Sequence, residues 1–310
     1  MHYSPVLMHI PDGFLSLIVS IICWMVSASI IGLAISRTNK ALGEKQIPLM
    51  GVMAAFIFAA QMINFPVAGG TSGHLLGGAM AAIVLGPWAG MLVMTAVIAV
   101  QALLFQDGGL VVMGANILNM GLLTAAVGYG LYRSASTRSN SVKLAVAGVA
   151  AWLSVMTGAL LTSLELWLSG TSQLRVVIPA MLGVHALIGL GEALITVSAL
   201  AFILRTRPDL LGEDSESAKG SHGWVWAGGL ITLAVVLLSP LASTNPDGLN
   251  RVAMDLGFIG TAQFGSGPLA GYTIPFLALA SFSKIAAGVI GVIVVGAIIM
   301  LIGRGMKAKA

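Results

Sequence analysis

Charged side chains are scarce in this 310-residue sequence. Asp, Glu, Lys and Arg together make up 8% of it, whereas 57% of the residues are hydrophobic. A soluble domain carries roughly 25% charged residues. The chain therefore has too few of them to cover a surface that faces water, and the composition excludes an ordinary soluble domain.

Cysteine and the common enzyme motifs are also nearly or wholly missing. The single Cys23 lies inside the first apolar run, which excludes a disulfide framework and a thiolate metal site and favours a small buried side chain. The sequence has no G-x-x-x-x-G-K-[ST] motif for ATP, no HExxH and no GxSxG. We therefore expect a protein that is not an enzyme and that either uses energy from separate ATPases or moves ions passively.

Long apolar runs are what the sequence has in abundance. Each is about long enough to cross a hydrocarbon core of roughly 30 Å. The runs lie at 14–36, 49–65, 88–105, 110–132, 144–168, 176–204, 224–243 and 273–303. A shorter apolar stretch between His74 and Pro87 predicts one further, abbreviated crossing. The predicted fold is all-α, a polytopic membrane helical bundle of about nine crossings.

The basic residues indicate how this bundle is oriented. All but three of the 15 Lys and Arg residues fall in four clusters, which nine crossings place on one side of the membrane. The clusters are Arg37, Lys40 and Lys45; Arg133, Arg138 and Lys143; Arg205, Arg207 and Lys219; and Arg304, Lys307 and Lys309. The positive-inside rule makes that side cytoplasmic. The N-terminus is therefore predicted outside and the C-terminus in the cytoplasm.

The dipeptide Met-His occurs twice near the start, at Met1-His2 and at Met8-His9. A free α-amine, the next amide nitrogen once deprotonated, and the imidazole of the second residue can chelate one metal ion through fused rings. A second imidazole completes four nitrogen ligands in a plane, which favours Ni(II) or Cu(II) and can also accept Co(II). His74, in the glycine-rich loop NFPVAGGTSGHLLGG, lies on the same outer side as His9. The alternative for His74 is an incidental histidine in an outer turn.

Several segments together resemble the NikM/CbiM family, the substrate-binding (S) subunits of energy-coupling-factor (ECF) transporters for nickel and cobalt. They are MHIPDGF at 8–14, PVAGGTSGHLLGG at 66–78, LGPWAG at 85–90, MGANILNMG at 113–121 and GVHALIGLGEALIT at 183–196. NPDGLNRVAMDLGF at 245–258 resembles the PDGLE-type extracytoplasmic loop of the NikN/CbiN accessory subunit, although Asn250 replaces the usual Glu. The chain is thus similar to a fused NikMN protein, with seven crossings in its first part and two in its second.

The resemblance implies a division of the chain and a metal site. Residues 8–208 form the metal-binding part, 209–223 a cytoplasmic linker that includes His222, and 224–310 a helical hairpin that regulates access near the outer face. The implied metal ligands are Met8, through its amine, His9 and His74. That amine exists only if residues 1–7 are absent from the mature chain, through translation from Met8 or through processing. The alternative is that Met1-His2 provides the chelate.

Other polar residues are candidates for a supporting or coupling role, each with a structural alternative. Asp12 stands where it can cap the first span. His185 and Glu192 share a helix face and can bond each other, contact the coupling subunit or form part of a metal path. The pairs Gln61/Asn64 and Asn116/Asn119 favour links between helices, with Asn64 and Asn116 expected nearest the site. Glu165 is expected to face the headgroups.

The resemblance also implies the function. The chain would capture Ni(II), or Co(II) for cobalamin synthesis, at the outer face of the cytoplasmic membrane and deliver it inward. A transmembrane coupling subunit and two ATPase subunits would be its partners. Neither a permanent cofactor nor nucleic acid is expected. Fusion to the accessory part favours nickel. The alternative class is a stand-alone metal permease or channel.

Overall fold

The computed structural model describes residues 8–41, 43, 46–211, 223–263 and 265–307. The predicted extension 1–7 with His2, and most of the predicted linker with His222, lie outside the described residues. The predicted boundaries of these two segments therefore stay predictions.

Helices make up nearly all of the regular structure. Their bounds are α1 Leu17–Ala41, α2 Gln46–Gln61, α3 Gly78–Leu85, α4 Pro87–Val100, α5 Met113–Asn116, α6 Thr124–Arg133, α7 Asn140–Leu168, α8 Leu174–Thr206, α9 Gly223–Leu238, α10 Gly248–Asp255 and α11 Ala280–Lys307. A π-helical turn, Gln101–Phe105, extends α4, and another, Ile117–Leu123, joins α5 to α6. The strands β1 Phe65–Val67 and β2 Thr71–Gly73 form an antiparallel hairpin.

Each predicted crossing contains a helix, and the predicted all-α bundle is confirmed. In the part of the chain that the structure describes, six helices are long and apolar enough to span a membrane, and α2 is a shorter apolar helix. The predicted run 110–132 is the composite helix from α5 to α6. The abbreviated crossing is α3, whose 8 residues rise about 12 Å at 1.5 Å per residue. The buried residues 74–77 lead into it from the outer side.

Helix ends that the charge pattern assigns to the same side lie together. At the outer side, the Ser243 amide donates to the Asn64 carbonyl at 2.8 Å, and the Leu269 amide donates to the Leu104 carbonyl at 3.0 Å. At the cytoplasmic side, the Arg207 guanidinium lies 5.3 Å from the ring centroid of Trp224. The cytoplasmic turn Pro208–Leu211 also contacts α3. These contacts agree with the predicted orientation.

Apolar side chains face outward on the long helices, and polar ones face inward. Ile18 on α1 is 72% exposed and Leu194 on α8 is 68% exposed, whereas Glu192 and Asn116 are fully buried. Lipid solvates apolar side chains, and a polar group in the bilayer must find its partner inside the protein. The distribution therefore fits a bundle surrounded by lipid.

The outer hairpin and the residues after it turn the chain into the bundle. Gly77, just before α3, has a φ of 84°, a conformation that glycine adopts without strain. The side-chain amide of Gln61 at the end of α2 donates to the Leu76 carbonyl at 2.8 Å. This path carries His74 from the outer hairpin to a buried position shortly before α3.

Candidate metal centre

A small cavity at the outer end of the bundle brings together residues from six parts of the chain. Its volume is about 60 Å³, room for one ion with a few waters, since a water needs roughly 10–15 Å³ of such space. Its polar lining consists of His9, His74, Asn116, Asn119, Thr162, His185 and Asp247, together with the main chain of Met8. Three of the five histidines of the chain thus face one space.

The segment Met8–Ile10 is fixed in the cavity wall by main-chain bonds. The side-chain amide of Asn116 donates to the Ile10 carbonyl and accepts from the Ile10 amide, both at 3.0 Å. The Gly109 amide also donates to the Ile10 carbonyl at 2.9 Å. Because one side chain makes two hydrogen bonds to the main chain of the same residue, Asn116 fixes the position of the N-terminal segment.

Asp107, just after α4, contacts both residues of the Met8-His9 dipeptide. The main-chain nitrogen of Met8 donates to Oδ1 of Asp107 at 2.7 Å. Nδ1 of His9 lies 3.0 Å from the Asp107 carbonyl oxygen. The second carboxylate oxygen accepts a hydrogen bond of 2.6 Å from the Tyr272 hydroxyl. Burial raises the pKa of Tyr272 well above its ordinary value, so the phenol keeps the proton that it donates.

His74 is held at the cavity by Glu192. The two carboxylate oxygens of Glu192 accept from the amides of Leu76, at 2.6 Å, and Gly77, at 2.9 Å. His74 itself has Nδ1 2.9 Å from the Leu75 carbonyl and Nε2 3.1 Å from the Met8 carbonyl. A neutral imidazole carries one proton. With that proton on Nδ1, donated to Leu75, the lone pair of Nε2 is available to a metal ion, which would replace the contact with the Met8 carbonyl; this tautomer is typical of metal-binding histidines.

The imidazoles of His9 and His74 lie close enough to share one ion. Their ring centroids are 5.6 Å apart and the rings are inclined by 56°, and a ring nitrogen binds a metal such as zinc at roughly 2.0–2.1 Å. Nε2 of His9 is buried and has no hydrogen-bond partner. Burial is also the main reason why the pKa of His9 is lowered, which favours the neutral form that binds metals.

Side chains alone do not complete a metal site in this cavity. Among the described residues, no three His, Cys, Asp or Glu side chains lie close enough together to hold an ion. At the Met8 end, the cavity offers the imidazoles of His9 and His74 beside the main-chain nitrogens of Met8 and His9. This donor set is rich in nitrogen and poor in carboxylate, which suits planar Ni(II) rather than a hard cation.

His185 and Asp247 complete the wall opposite the dipeptide. Nδ1 of His185 lies 2.7 Å from the Met181 carbonyl on its own helix, so His185 and Glu192 each bond a different partner. Asp247 is in the PDGL segment, and its carboxylate accepts from the Asn250 amide at 2.8 Å. Burial raises the pKa of Asp247 to about 8, so near neutral pH its carboxyl group is largely protonated.

The fused C-terminal part reaches this cavity directly. The Ser72 amide donates to the Pro246 carbonyl at 2.8 Å, and the Ser72 hydroxyl donates to the Asn245 carbonyl at 2.8 Å. A Cβ atom at Gly248 would stand 2.9 Å from Cε1 of His185. The absence of a side chain at Gly248 lets the PDGL main chain pack onto the histidine.

Three expectations from the sequence were wrong. Asp12 does not cap the first span, which begins at Leu17; its carboxylate accepts the amides of residues 110–112 instead and so caps the turn that leads into α5. Asn64 is buried but does not line the cavity. Glu165 faces inward, not toward the headgroups, and accepts from Asn119 at 2.6 Å and from Cys23 at 3.4 Å.

Sequence reasoning missed Asp107 and Tyr272. Asp107 follows the apolar run 88–105 directly, and an acid at the outer end of a span was a signal that could have been used. Tyr272 has no such signal, because it lies in an irregular segment more than 160 residues further along the chain. Only the packing of that segment over α4 brings its hydroxyl to the site.

The hydrogen bonds that Glu192 accepts from the Leu76 and Gly77 amides give a first prediction. We expect Glu192→Ala to weaken metal binding by about 10–100-fold, the usual cost of losing a group that orients a metal ligand. Glu192→Gln should lose less, because its amide oxygen still accepts one of the two main-chain N–H groups. Titration of the purified protein with metal measures both affinities.

Glu165→Gln is the matched control, since Glu165 is also a buried carboxylate but bonds Asn119 and Cys23 rather than the His74 segment. Its metal affinity should stay within about threefold of the parent protein, the scatter expected for an unrelated change. Equal losses in the Glu165 and Glu192 variants would contradict the assigned role.

Comparison with known proteins identifies the family of this chain. A family model described as the cobalt uptake substrate-specific transmembrane region matches residues 9–210, and the PDGLE domain model matches 222–308. A relative from Archaeoglobus fulgidus, named for a fused nickel transport protein NikMN, is 36% identical over 296 residues, which cover 93% of this chain and 95% of that one. The fused nickel transport protein NikMN of Rhodobacter capsulatus is 32% identical over 252 residues, with 76% and 72% covered.

A solved structure leads to the same class of protein. The crystal structure of a transition metal transporter matches with a TM-score of 0.60 and 32% identity, over 69% of this chain and 100% of that one. The chain is therefore a multi-pass membrane transporter of the nickel and cobalt class, not an enzyme. The chain belongs to the CbiM family and carries a PDGLE domain in its C-terminal part.

Proposed function

We propose that this chain is the substrate-binding subunit of an ECF-type importer and that it captures Ni(II) at the outer face of the cytoplasmic membrane. The observation that carries the proposal is the meeting of His9, His74 and the Met8 main chain at one small outer cavity, with the two imidazole centroids 5.6 Å apart. Captured metal then passes inward with the help of a transmembrane coupling subunit and separate ATPase subunits.

In this proposal the mature chain begins at Met8. The free amine of Met8, the amide nitrogen of His9 and the imidazole of His9 occupy three positions of a plane. Fused chelation uses Nδ1 of His9, which here faces the Asp107 carbonyl. The ring therefore turns on metal binding and exchanges that contact for the ion. Nε2 of His74 supplies the fourth nitrogen.

The apolar region below the site favours a capture subunit over a stand-alone channel. Every residue of α3 is buried, and the helix GAMAAIVL has no polar side chain. A channel would need polar groups along this path to replace the hydration shell of the ion. An ion bound at His74 therefore needs a movement of the bundle to proceed, which separate ATPase subunits would drive.

Nickel is proposed over cobalt on two grounds. The nitrogen donor set suits planar Ni(II), and relatives that share the fused arrangement are named for nickel transport. The family model is described by cobalt uptake, which makes Co(II) the alternative cargo.

Competitive uptake tests this choice. In cells that express the chain with its coupling and ATPase subunits, excess unlabelled nickel should inhibit uptake of radiolabelled nickel more strongly than the same excess of cobalt. Cells without the chain provide the background. Stronger inhibition by cobalt would make cobalt the main cargo, and uptake that persists without the ATPase subunits would favour the permease.

A further inference from the structure

We propose that Asp107 positions the amino terminus for metal capture and that Tyr272, from the fused C-terminal part, holds Asp107 in place. The inference deepens the proposed function and rests on it, because it concerns the nitrogen that the proposed chelate uses. It assigns to the PDGLE part a direct role in shaping the metal site.

The first step is the bond between Met8 and Asp107. Asp107 is 2% exposed, and its Oδ1 accepts from the Met8 main-chain nitrogen at 2.7 Å. An amine bound to a metal ion still carries two hydrogens, so it can donate to the same oxygen. Hydrogen bonds between a carboxylate and a nitrogen are strong and directional. Asp107 can therefore hold the amine in the orientation that the ion needs.

The second step is the bond between Asp107 and Tyr272. The Tyr272 hydroxyl donates to Oδ2 of Asp107 at 2.6 Å and accepts from the side-chain amide of Gln101 at 3.1 Å. The Tyr272 ring stacks on Phe105, with centroids 4.9 Å apart and planes inclined by 27°. The two carboxylate oxygens thus have one partner each, and the partner of Oδ2 is itself fixed on both its hydroxyl and its ring.

The backbone around this chain of bonds is strained. Gln106 and Tyr272 are the non-glycine residues with positive φ in the described parts of the chain, at 54° and 57°. Bulky residues adopt this conformation only where the surroundings impose it, and such strain concentrates at functional sites. Gln106 directly precedes Asp107 in sequence, and Tyr272 donates a hydrogen bond to the Asp107 carboxylate.

The experiment uses the full protein prepared to begin at Met8, with nickel as the probe. We expect Asp107→Ala to weaken nickel binding by about 10–100-fold and Tyr272→Phe by about 10-fold, as for other groups that orient metal ligands. Asp107→Asn should recover much of the loss, because its amide oxygen can still accept from the amine. Tyr129→Phe, which removes the same atom from α6 far from the site, is the control and should leave the affinity unchanged.

Two readouts separate positioning from general stability. First, Tyr272→Phe should cause no further loss in the Asp107→Ala background, because the hydroxyl acts through Asp107; losses that add would contradict the inference. Second, protein saturated with nickel should keep the absorption spectrum of the parent in both variants. A changed spectrum would make Asp107 a direct ligand and overturn its positioning role.

A measurement without metal distinguishes failure of this inference from failure of the proposed function. In the metal-free protein, an aminopeptidase should remove Met8 faster from the Asp107→Ala and Tyr272→Phe variants than from the parent and the Tyr129→Phe control. If the two variants are trimmed faster but the parent binds neither nickel nor cobalt, the contact between Asp107 and Met8 is supported and the proposed function is wrong. If the parent binds metal normally and both variants match it in affinity and in trimming rate, only this inference is wrong.

Discussion

Replacing His74 with alanine is expected to abolish high-affinity nickel binding. His74 is a cavity imidazole from outside the N-terminal dipeptide, and its Nε2 lies 3.1 Å from the Met8 carbonyl. Its removal leaves three nitrogens for four planar positions. Loss of a mere orienting group costs about 10–100-fold in affinity, so loss of this ligand should cost more than that.

Calorimetric titration of the purified protein with nickel measures this effect. His2→Ala and His222→Ala, each made in protein expressed in cells from the full sequence as the parent is, are matched controls, since each changes one histidine that is not part of the proposed ligand set. Both should bind nickel as the parent does. Loss of binding in the His2 variant would move the chelate to Met1-His2, and normal binding by the His74 variant would remove His74 from the site.

Adding three glycines in front of Met8 is expected to have a comparable effect. They change no side chain but convert the Met8 amine into an amide, which loses the basic lone pair that binds the ion, and they place the new amine too far from His9 for fused chelation. A single added glycine would not be a test, because Gly-Met-His with a free amine itself offers four planar nitrogens. We expect nickel affinity to fall by more than about 100-fold relative to the chain that begins at Met8, because again one of four ligands is lost and not just an orienting group. The chain that begins at Met1 should bind equally weakly until its first seven residues are removed.

The control for this experiment is three glycines added after Ala310, which should leave the affinity unchanged. The mass of the N-terminal peptide from protein made in cells shows which start is used. A chain that retains residues 1–7 and binds nickel as tightly as the chain that begins at Met8 would contradict the role of the amine.

The architecture was predictable because lipid acts on each segment separately. A span must be apolar over its own length and must satisfy its main chain internally, so eight of the nine predicted crossings could be located one at a time. Even the short α3 followed from a global constraint, since without it three clusters of basic residues would change sides relative to the first. The sequence pattern did not show that the buried residues 74–77 lead into this helix from the outer side.

The supporting residues were less predictable, because a hydrogen-bond partner is chosen by packing. Asp12 stands beside the first span in sequence, but its carboxylate accepts amides about 100 residues away. Asn116 was expected near the site, and its amide bonds the main chain of Ile10 there. Asn64 was expected near the site for the same reason, but it does not line the cavity.

The sequence by itself determined the membrane bundle and its orientation and predicted the dipeptide Met8-His9 that we propose as the chelate, because hydropathy, charge bias and neighbouring ligands are local properties. Only the tertiary structure decided that His74 meets Met8, that Glu192 holds the His74 segment, and that Asp107 is bonded to Tyr272 from the fused part. The reason is that a buried polar group must be satisfied by whatever the packed helices bring within about 3 Å of it, and no local pattern records that partner.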